Sequence, residues 1–367
     1  MRICITGTRG KSAVTRLLAS CLDQAGFNVL AKATGTKPVF IFPGGEEKLI
    51  RRRGITSILE EKKVLRKAAS NSVQVLVVEL MSFSPESLYA ESRRMLRPHI
   101  LIITNVRMDH TAQAGKSKHE IARNFARSIN DFSTVFIPEE ECLPVFQDWA
   151  EKRKAKLVKV GKVDSLNEES FIKKIPKSEF LQNIRITLEV CDFLDIKRET
   201  TYSGIMKAIP DLGSLKFWKA EFTLPKRKWD LVSAFSANDP ESTRDVIDKL
   251  KKSKNIKYER WIGVFNIRKD RGDRTFQWMS AFKDNLFPEF QKIIFLGDQA
   301  ELLKRRLERN TKKPEYEAFR YKNAKKLMAR ILEKEKKNCV LVGLGNIKGI
   351  GIDILDHWDT IGKRHDL

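Results

Sequence analysis

Residues 3–18 read ICITGTRGKSAVTRLL: an apolar run, a loop with two glycines, then apolar residues at helical spacing. A strand that turns through glycines straight into a helix opens a βα unit. Such units stack their strands in parallel, with helices on both faces of the sheet. The loop also suits phosphate. Gly7 and Gly10 allow a tight turn and aim backbone N–H groups at an anion. The helix starting at Lys11 presents its positive end, Lys11 adds a charge, and Ser12 offers Mg²⁺ a hydroxyl. The common phosphate loop has a glycine, four residues, then Gly-Lys-Ser/Thr. Here Ile5 stands where that first glycine belongs, and starting from Gly7 leaves a loop two residues shorter.

Further short apolar runs follow (NVLAK, VQVLVVEL, HILIITNV, TVFIP), with helical patterns after residues 58, 85, 118 and 143. Residues 161–177 are irregular and charged. Helical patterns at 178–194 and 199–209 lead to a short strand at FWKAEFTL, and PKRKWD reads as a linker. The alternation then restarts, with DLVSAFS, WIGVFNI, KIIFLG and CVLVGLG as strands and helices at 240–252, 275–284, 299–309 and 320–337. The expected architecture is α/β: a P-loop domain on a mainly parallel sheet at 1–225, then a smaller Rossmann-like α/β domain at 226–367.

Strands of a parallel sheet end on one edge, and ligands bind at that carboxyl edge. VQVLVVEL ends its apolar run at Glu79, and HILIITNVRMDH ends its run at Asn105, with Asp109 and His110 just beyond. Glycine amides, a lysine, a hydroxyl, a carboxylate and a histidine therefore converge, as a nucleotide–magnesium site requires. Glu79 takes the place of the acidic magnesium ligand of P-loop proteins, and His110 points to a second metal.

The balance of 70 Lys+Arg against 47 Asp+Glu gives a net charge of +23, a field that attracts nucleotides, nucleic acid, acidic membranes or an acidic polymer. Part of it is the mixed-sign, Lys/Glu-rich surface usual in thermophiles, as in EKRKAKLVKV. A nucleic-acid binder interleaves aromatics with its basic residues; RRRGITS and LKRRLERN do not. Five scattered cysteines without a CxxC suit a reducing, cytoplasmic setting. No signal peptide precedes the first strand, and no stretch has transmembrane length.

GTRGKS, VVELMSFSPE and NVRMDH resemble the ATPase-domain motifs of the Mur ligase superfamily, which includes the folylpolyglutamate synthases and uses a short Gly-Thr-x-Gly-Lys-Ser/Thr loop. A narrower likeness spans nearly the whole chain. GTRGKSAVTRLL, KATGTK, ELMSFSPE, SANDPEST, NIRKDRGDRT and GLGNIKG, in that order, are similar to the ligase subunit of poly-γ-glutamate synthases, the PgsB/CapB family. The resemblance implies an ATP-dependent amide ligase. A glutamyl carboxylate takes the γ-phosphate to become an acyl phosphate, and the amine of an incoming glutamate displaces phosphate. It implies ATP and Mg²⁺ as cofactors. Gly7, Thr8, Arg9, Gly10, Lys11, Ser12, Asn183 and Lys216 would hold nucleotide, and Ser12, Glu79 and His110 would hold metal, with Lys11, Glu79 and His110 carrying the chemistry. It also implies glutamate and a growing polyanionic chain as partners, with small membrane subunits that would hold the protein at the membrane. Homo-oligomerisation is left open.

Two positions depart from the superfamily. Phe125 stands where many Mur ligases have a carbamylated lysine, and Lys216 where they have a phosphate-contacting arginine. A UDP-muramyl substrate is not expected, because the loop begins at residue 7 and leaves no room for a UDP-binding domain before it. In the second domain, Arg268, Arg271 and Arg274 follow a strand, with Asp270 and Asp273 among them. Guanidiniums there can bind glutamate carboxylates bidentately. Asn238 and Asp239 would contact nucleotide or substrate, or Asp239 would cap the helix opening at Pro240. A folylpolyglutamate-synthase-like ligase is the nearest alternative. A P-loop kinase or switch NTPase would explain the loop but neither His110 nor the second domain.

Overall fold

In the computed structural model Arg2–Thr6 forms strand β1 and Lys11–Gln24 helix α1, with the glycine loop between them. The structure describes the chain except residues 53–55, 110, 162–170, 172–173, 176–179, 212, 224–225, 254, 257, 268–271, 298, 310–313, 321–322 and 366–367. It divides into two compact units, Met1–Leu212 and Gly213–Leu367.

The first unit holds an eight-stranded sheet in the order β4-β3-β2-β5-β1-β6-β7-β8. Its other strands are β2 (Val29–Ala33), β3 (Val39–Ile41), β4 (Glu47–Leu49), β5 (Val75–Glu79), β6 (Ile100–Ile103), β7 (Thr134–Pro138) and β8 (Lys156–Val160). β1 lies between β5 and β6, parallel to both, with Ile5 opposite Glu79 and Thr6 opposite Ile103. That register sets the glycine loop between the ends of β5 and β6. β3 and β4 form an antiparallel hairpin at one edge, and β8 closes the other. None of these edge strands was read from the sequence. Glu47–Leu49 is exposed throughout and β8 alternates lysines with apolar residues, so neither makes a continuous apolar run.

Helices cover both faces. On one face α1 packs with α7 (Leu181–Phe193) and α8 (Arg198–Lys207), and its expected apolar stripe of Val14, Leu17, Leu18, Cys21 and Leu22 is buried there. The other face carries α2 (Glu60–Ser70), α3 (Pro85–Tyr89) running into a π-helical segment at Ala90–Leu96, α5 (Lys118–Ala126) and α6 (Pro144–Lys152), with the short α4 (Thr111–Ala114) before α5. Phe125 on α5 is wholly inside this layer, among Ile121, Val135 and Phe146. Phe125→Ala is expected to cost about 3–5 kcal/mol, read from the denaturant midpoint at an unchanged slope.

The second unit is a seven-stranded sheet in the order β13-β12-β11-β14-β10-β9-β15. Five strands run parallel: β10 (Lys226–Ser233), β11 (Trp261–Asn266), β12 (Phe290–Leu296), β13 (Glu315–Phe319) and β14 (Cys339–Gly345). β9 (Lys216–Thr223) and β15 (Gly362–Arg364) are antiparallel additions. β9 pairs with β10 along its full length, Lys216 opposite Ser233 and Thr223 opposite Lys226. FWKAEFTL therefore belongs to the second sheet, and the stretch expected to be a linker is strand from Lys226 onward. The contact division falls after Leu212, upstream of the expected 225/226. The reason is a period-two pattern: Trp218, Ala220, Trp229 and Leu231 all enter one core layer, while the residues between them stay polar. Helices α9 (Pro240–Lys252), α10 (Gly272–Lys283), α11 (Ala300–Glu308), α12 (Ala324–Lys334) and α13 (Ile350–Ile361) complete the unit. α13 was not foreseen.

Candidate functional site

The loop after β1 is held in one shape by the end of β6. Thr8 N–H donates to Asn105 O (3.1 Å), Arg9 N–H to Asn105 Oδ1 (2.9 Å), and Thr104 Oγ1 to Arg9 O (2.5 Å). Arg107 N–H donates to Thr8 Oγ1 (3.0 Å), and Arg9 forms an ion pair with buried Asp109 at 2.9 Å. Both loop glycines are obligatory. Gly7 has φ 124° and Gly10 φ 82°, and a Cβ would strike Thr104 Oγ1 at the first and Asn183 Oδ1 at the second. Asn183, in the first turn of α7, is thus packed directly on the loop.

Lys11 opens α1 but its side chain folds back into the loop. Its Nζ donates to Gly7 O (2.6 Å) and Thr8 O (3.3 Å) and lies 4.7 Å from the centre of the Phe83 ring. These are the carbonyls and ring that would surround a terminal phosphate's counter-charge. Burial lowers the Lys11 pKa to about 8; the Glu79 and Asp109 carboxylates oppose the shift, and the Arg9 charge adds to it. A phosphate brought against it would raise that pKa again.

Ser12 and Glu79 meet one residue further on. Ser12 Oγ donates to Glu79 Oε2 at 2.8 Å, and Thr34 N–H donates to the same oxygen at 2.6 Å. Ligand oxygens adjacent in an octahedron of 2.0–2.1 Å bonds stand about 2.9 Å apart. The hydroxyl and carboxylate are therefore already spaced for one small divalent cation. Among the described residues no group of three or more His, Cys, Asp or Glu could hold a metal by itself. A hydroxyl, one carboxylate, phosphate oxygens and water suit Mg²⁺ better than an all-protein cage would. His110 lies outside the described residues.

The sequence reading quoted KATGTK without giving its residues roles. Thr34 orients Glu79, and Gly35 fits between Ser12 and Asp211: a Cβ there would stand 2.6 Å from Ser12 Oγ and 3.0 Å from each Asp211 carboxylate oxygen. Thr36 N–H reaches Asp211 Oδ2 at 3.4 Å. Asp211 is the neighbour of this loop that the sequence did not reveal. A lone Asp after an apolar helix carries no signal until the fold brings it to the loop.

In the second unit the carboxyl ends of β10, β11 and β14 hold a polar cluster. Asn266 Nδ2 donates to Asn346 O (2.5 Å) and Lys348 O (3.0 Å), and Arg274 donates to Asn346 Oδ1 (3.1 Å). With its amide turned to donate, Asn238 lies 2.5 Å from Gly345 O. Asp239 accepts Ser242 N–H at 2.8 Å and is the N-cap of α9, so the capping alternative holds for its side chain. Arg274 is buried and fixed, whereas Arg268 and Arg271 lie outside the described residues. Lys216 is on β9 in this unit, opposite Ser233, and not in the unit that carries the glycine loop.

Two family models match the chain: the Mur ligase middle domain over residues 5–202 and the poly-γ-glutamate synthase CapB C-terminal domain over residues 221–361. The PGA synthase CapB of Bacillus subtilis (strain 168) is 30% identical over 363 residues, 97% of this chain and 89% of that protein. The capsule biosynthesis protein CapB of Bacillus anthracis is 28% identical over 371 residues, 99% of this chain and 78% of that protein. Among solved structures, E. coli FolC in complex with DHPP and ADP matches with a TM-score of 0.68 at 15% identity, covering 98% of this chain and 89% of FolC. MurF from Acinetobacter baumannii matches with a TM-score of 0.64 at 16% identity, covering 98% of this chain and 75% of MurF. These structural likenesses show the fold.

Proposed function

The chain belongs to the Mur ligase family, in its poly-γ-glutamate synthase CapB branch, and from that premise we propose how its residues share the work. It is an ATP-dependent amide ligase that joins glutamate into poly-γ-glutamate. The backbone amides of Gly7–Gly10 and the α1 N-terminus receive the triphosphate, and Lys11 neutralises its terminal phosphates. A divalent ion, which we take to be Mg²⁺, would supply charge neutralisation for the transferring phosphoryl group. Ser12 and Glu79 hold that ion, Thr34 keeps the Glu79 carboxylate aimed, and Asn183 closes the loop on the nucleotide side. His110 is the proposed protein ligand of a second ion; because Phe125 offers no carbamate, any further ligand must come from elsewhere.

With nucleotide in place, an oxygen of the glutamyl γ-carboxylate attacks the γ-phosphorus as the bond to ADP breaks. The free amine of the next glutamate then attacks the acyl carbon. Phosphate leaves with one former carboxylate oxygen, and the amine loses a proton as the amide forms. No protein nucleophile takes part. We assign Asn238, Asp239, Arg268, Arg271 and Arg274 to the substrate side and Lys216 to the nucleotide; Arg274, held by Asn346, presents a guanidinium for a glutamate carboxylate. Arg274→Met is expected to raise the KM for glutamate about 10- to 100-fold while that for ATP changes little.

The observation that carries this reading is the Ser12–Glu79 pair beside Lys11. Incubation with ATP, a divalent ion and glutamate or short γ-glutamyl peptides tests it, by following ADP, phosphate and product. ADP release that ignored every carboxylate acceptor would contradict it. No helix among the described residues is long and apolar enough to cross a membrane, and we propose that small membrane subunits are partners of this chain.

A further inference from the structure

Three carboxyl groups and two cations lie behind the Glu79 strand, and the chemistry above uses none of them. Lys32 on β2, Glu61 on α2 and Glu91 in the π-helical segment are fully buried. Lys32 Nζ pairs with Glu61 and stands 3.2 Å from Glu60, while Arg52 holds the two Glu60 oxygens at 2.8 and 3.0 Å. Burial, aided by the nearby Glu91 charge and opposed by Lys32, raises the Glu61 carboxyl well above the usual carboxylate range. The Cys4 thiol lies in the same field and is itself held protonated, chiefly by burial.

Ion pairs wholly inside a protein are a poor source of stability, since apolar residues of the same volume often serve as well or better. What singles this cluster out is where its ends go. The Glu91 oxygens accept Met81 N–H at 2.9 Å and Ser82 N–H at 3.0 Å, from the residues two and three beyond Glu79. The next residue is Phe83, whose ring faces Lys11. On the other side, Lys32 lies two residues before Thr34, whose N–H fixes Glu79 Oε2. The cluster thus grips both backbone segments that shape the metal-side carboxylate. The π-helical turn at Ala90–Leu96 is what carries Glu91 under the loop, and such insertions are common where a helix serves a site.

We propose that Lys32, Glu61 and Glu91 are positioning residues for ligation, a buried brace that holds the Glu79 carboxylate, the Thr34 amide and the Phe83 ring in the arrangement metal and phosphate require. The proposal rests on Ser12 and Glu79 being the metal-side pair. Its test compares wild type with Glu91→Gln and with the double variant Lys32→Met/Glu61→Gln, all shown folded by circular dichroism at the assay temperature. Two quantities are read: the Mg²⁺ concentration for half-maximal ligation, and the affinity for Mn²⁺–ADP by calorimetry, which needs no turnover. Both variants should lose about 10- to 100-fold in kcat, need several-fold more Mg²⁺ and bind Mn²⁺–ADP several-fold more weakly, with the KM for glutamate unmoved. A brace that served stability alone would lower the melting temperature and leave the Mg²⁺ requirement and Mn²⁺–ADP affinity unchanged, and that result would overturn the proposal. Wild type that bound Mn²⁺–ADP but formed no amide would instead count against the ligase reading.

Discussion

Lys11→Met is expected to abolish ligation while making the empty protein more stable. In the fold the Lys11 ammonium is removed from water, with two backbone carbonyls and the Phe83 ring as its near neighbours. Among the described residues no carboxylate forms an ion pair with it, and burial, opposed by Glu79 and Asp109, pulls the pKa down to about 8 from 10.5. Below pH 8 both folded and unfolded chains carry the proton, so folding bears the whole cost of burying the charge. Between pH 8 and 10.5 the unfolded chain still binds the proton and the folded one does not, so stability rises with pH. Above 10.5 the cost is gone. Met fills the volume without the charge, so its gain, at most roughly 3 kcal/mol, should be complete at pH 7 and vanish above about pH 10.5. Activity should fall the other way, by at least about 10²–10³-fold, the usual loss when one preorganised group at the developing charge is removed. Melting curves of both proteins from pH 6 to 11, beside initial rates, check the two halves together. A Lys11→Met protein that was no more stable at pH 7, or that kept a tenth of wild-type rate, would show that Lys11 is an ordinary buried lysine.

Glu79→Ala should leave a folded protein that responds weakly to metal. Its carboxylate accepts two hydrogen bonds, from Ser12 Oγ and Thr34 N–H, and lies at the end of β5, where the next residue already leaves the strand. Removing it leaves the Ser12 hydroxyl without its carboxylate partner. The expected result is a rate loss of about 10²–10³-fold at low Mg²⁺ that is partly recovered at high Mg²⁺. Glu79→Gln keeps an acceptor for Thr34 and should recover folding stability but not metal affinity. An unchanged Mg²⁺ titration in both variants would move the metal away from Glu79.

The parts of this site written in consecutive residues were legible in the sequence, and the parts assembled across the fold were not. GTRGKS announced a loop, and the ends of two apolar runs put Glu79 and Asn105 on its edge, because strand ends in a parallel sheet are fixed by topology alone. Asp211 reaches Thr36 from 175 residues away in sequence, and nothing local in PDLG says so. The Lys32–Glu61–Glu91 brace was hidden for a related reason. Lys32 sits in NVLAK where a period-two reading gives it to solvent, but β2 is a central strand with both faces covered. In the second unit, PKRKWD was expected to be a linker because it is so polar, when from Lys226 onward it is a strand paired with β9. Phe125 went the other way: its apolar surroundings were evident, and the core layer it occupies explains why no carbamate can stand there.

The central claim is that this chain activates a carboxylate by moving phosphate onto it, and isotope transfer tests that most directly. Glutamyl substrate carrying ¹⁸O in its γ-carboxylate is incubated with the protein, ATP, Mg²⁺ and unlabelled glutamate, and the released phosphate is examined by mass spectrometry. The account predicts one carboxylate-derived ¹⁸O in phosphate for each amide bond formed, with ADP as the other product. Amide formation with unlabelled phosphate, or with AMP and pyrophosphate instead, would contradict it.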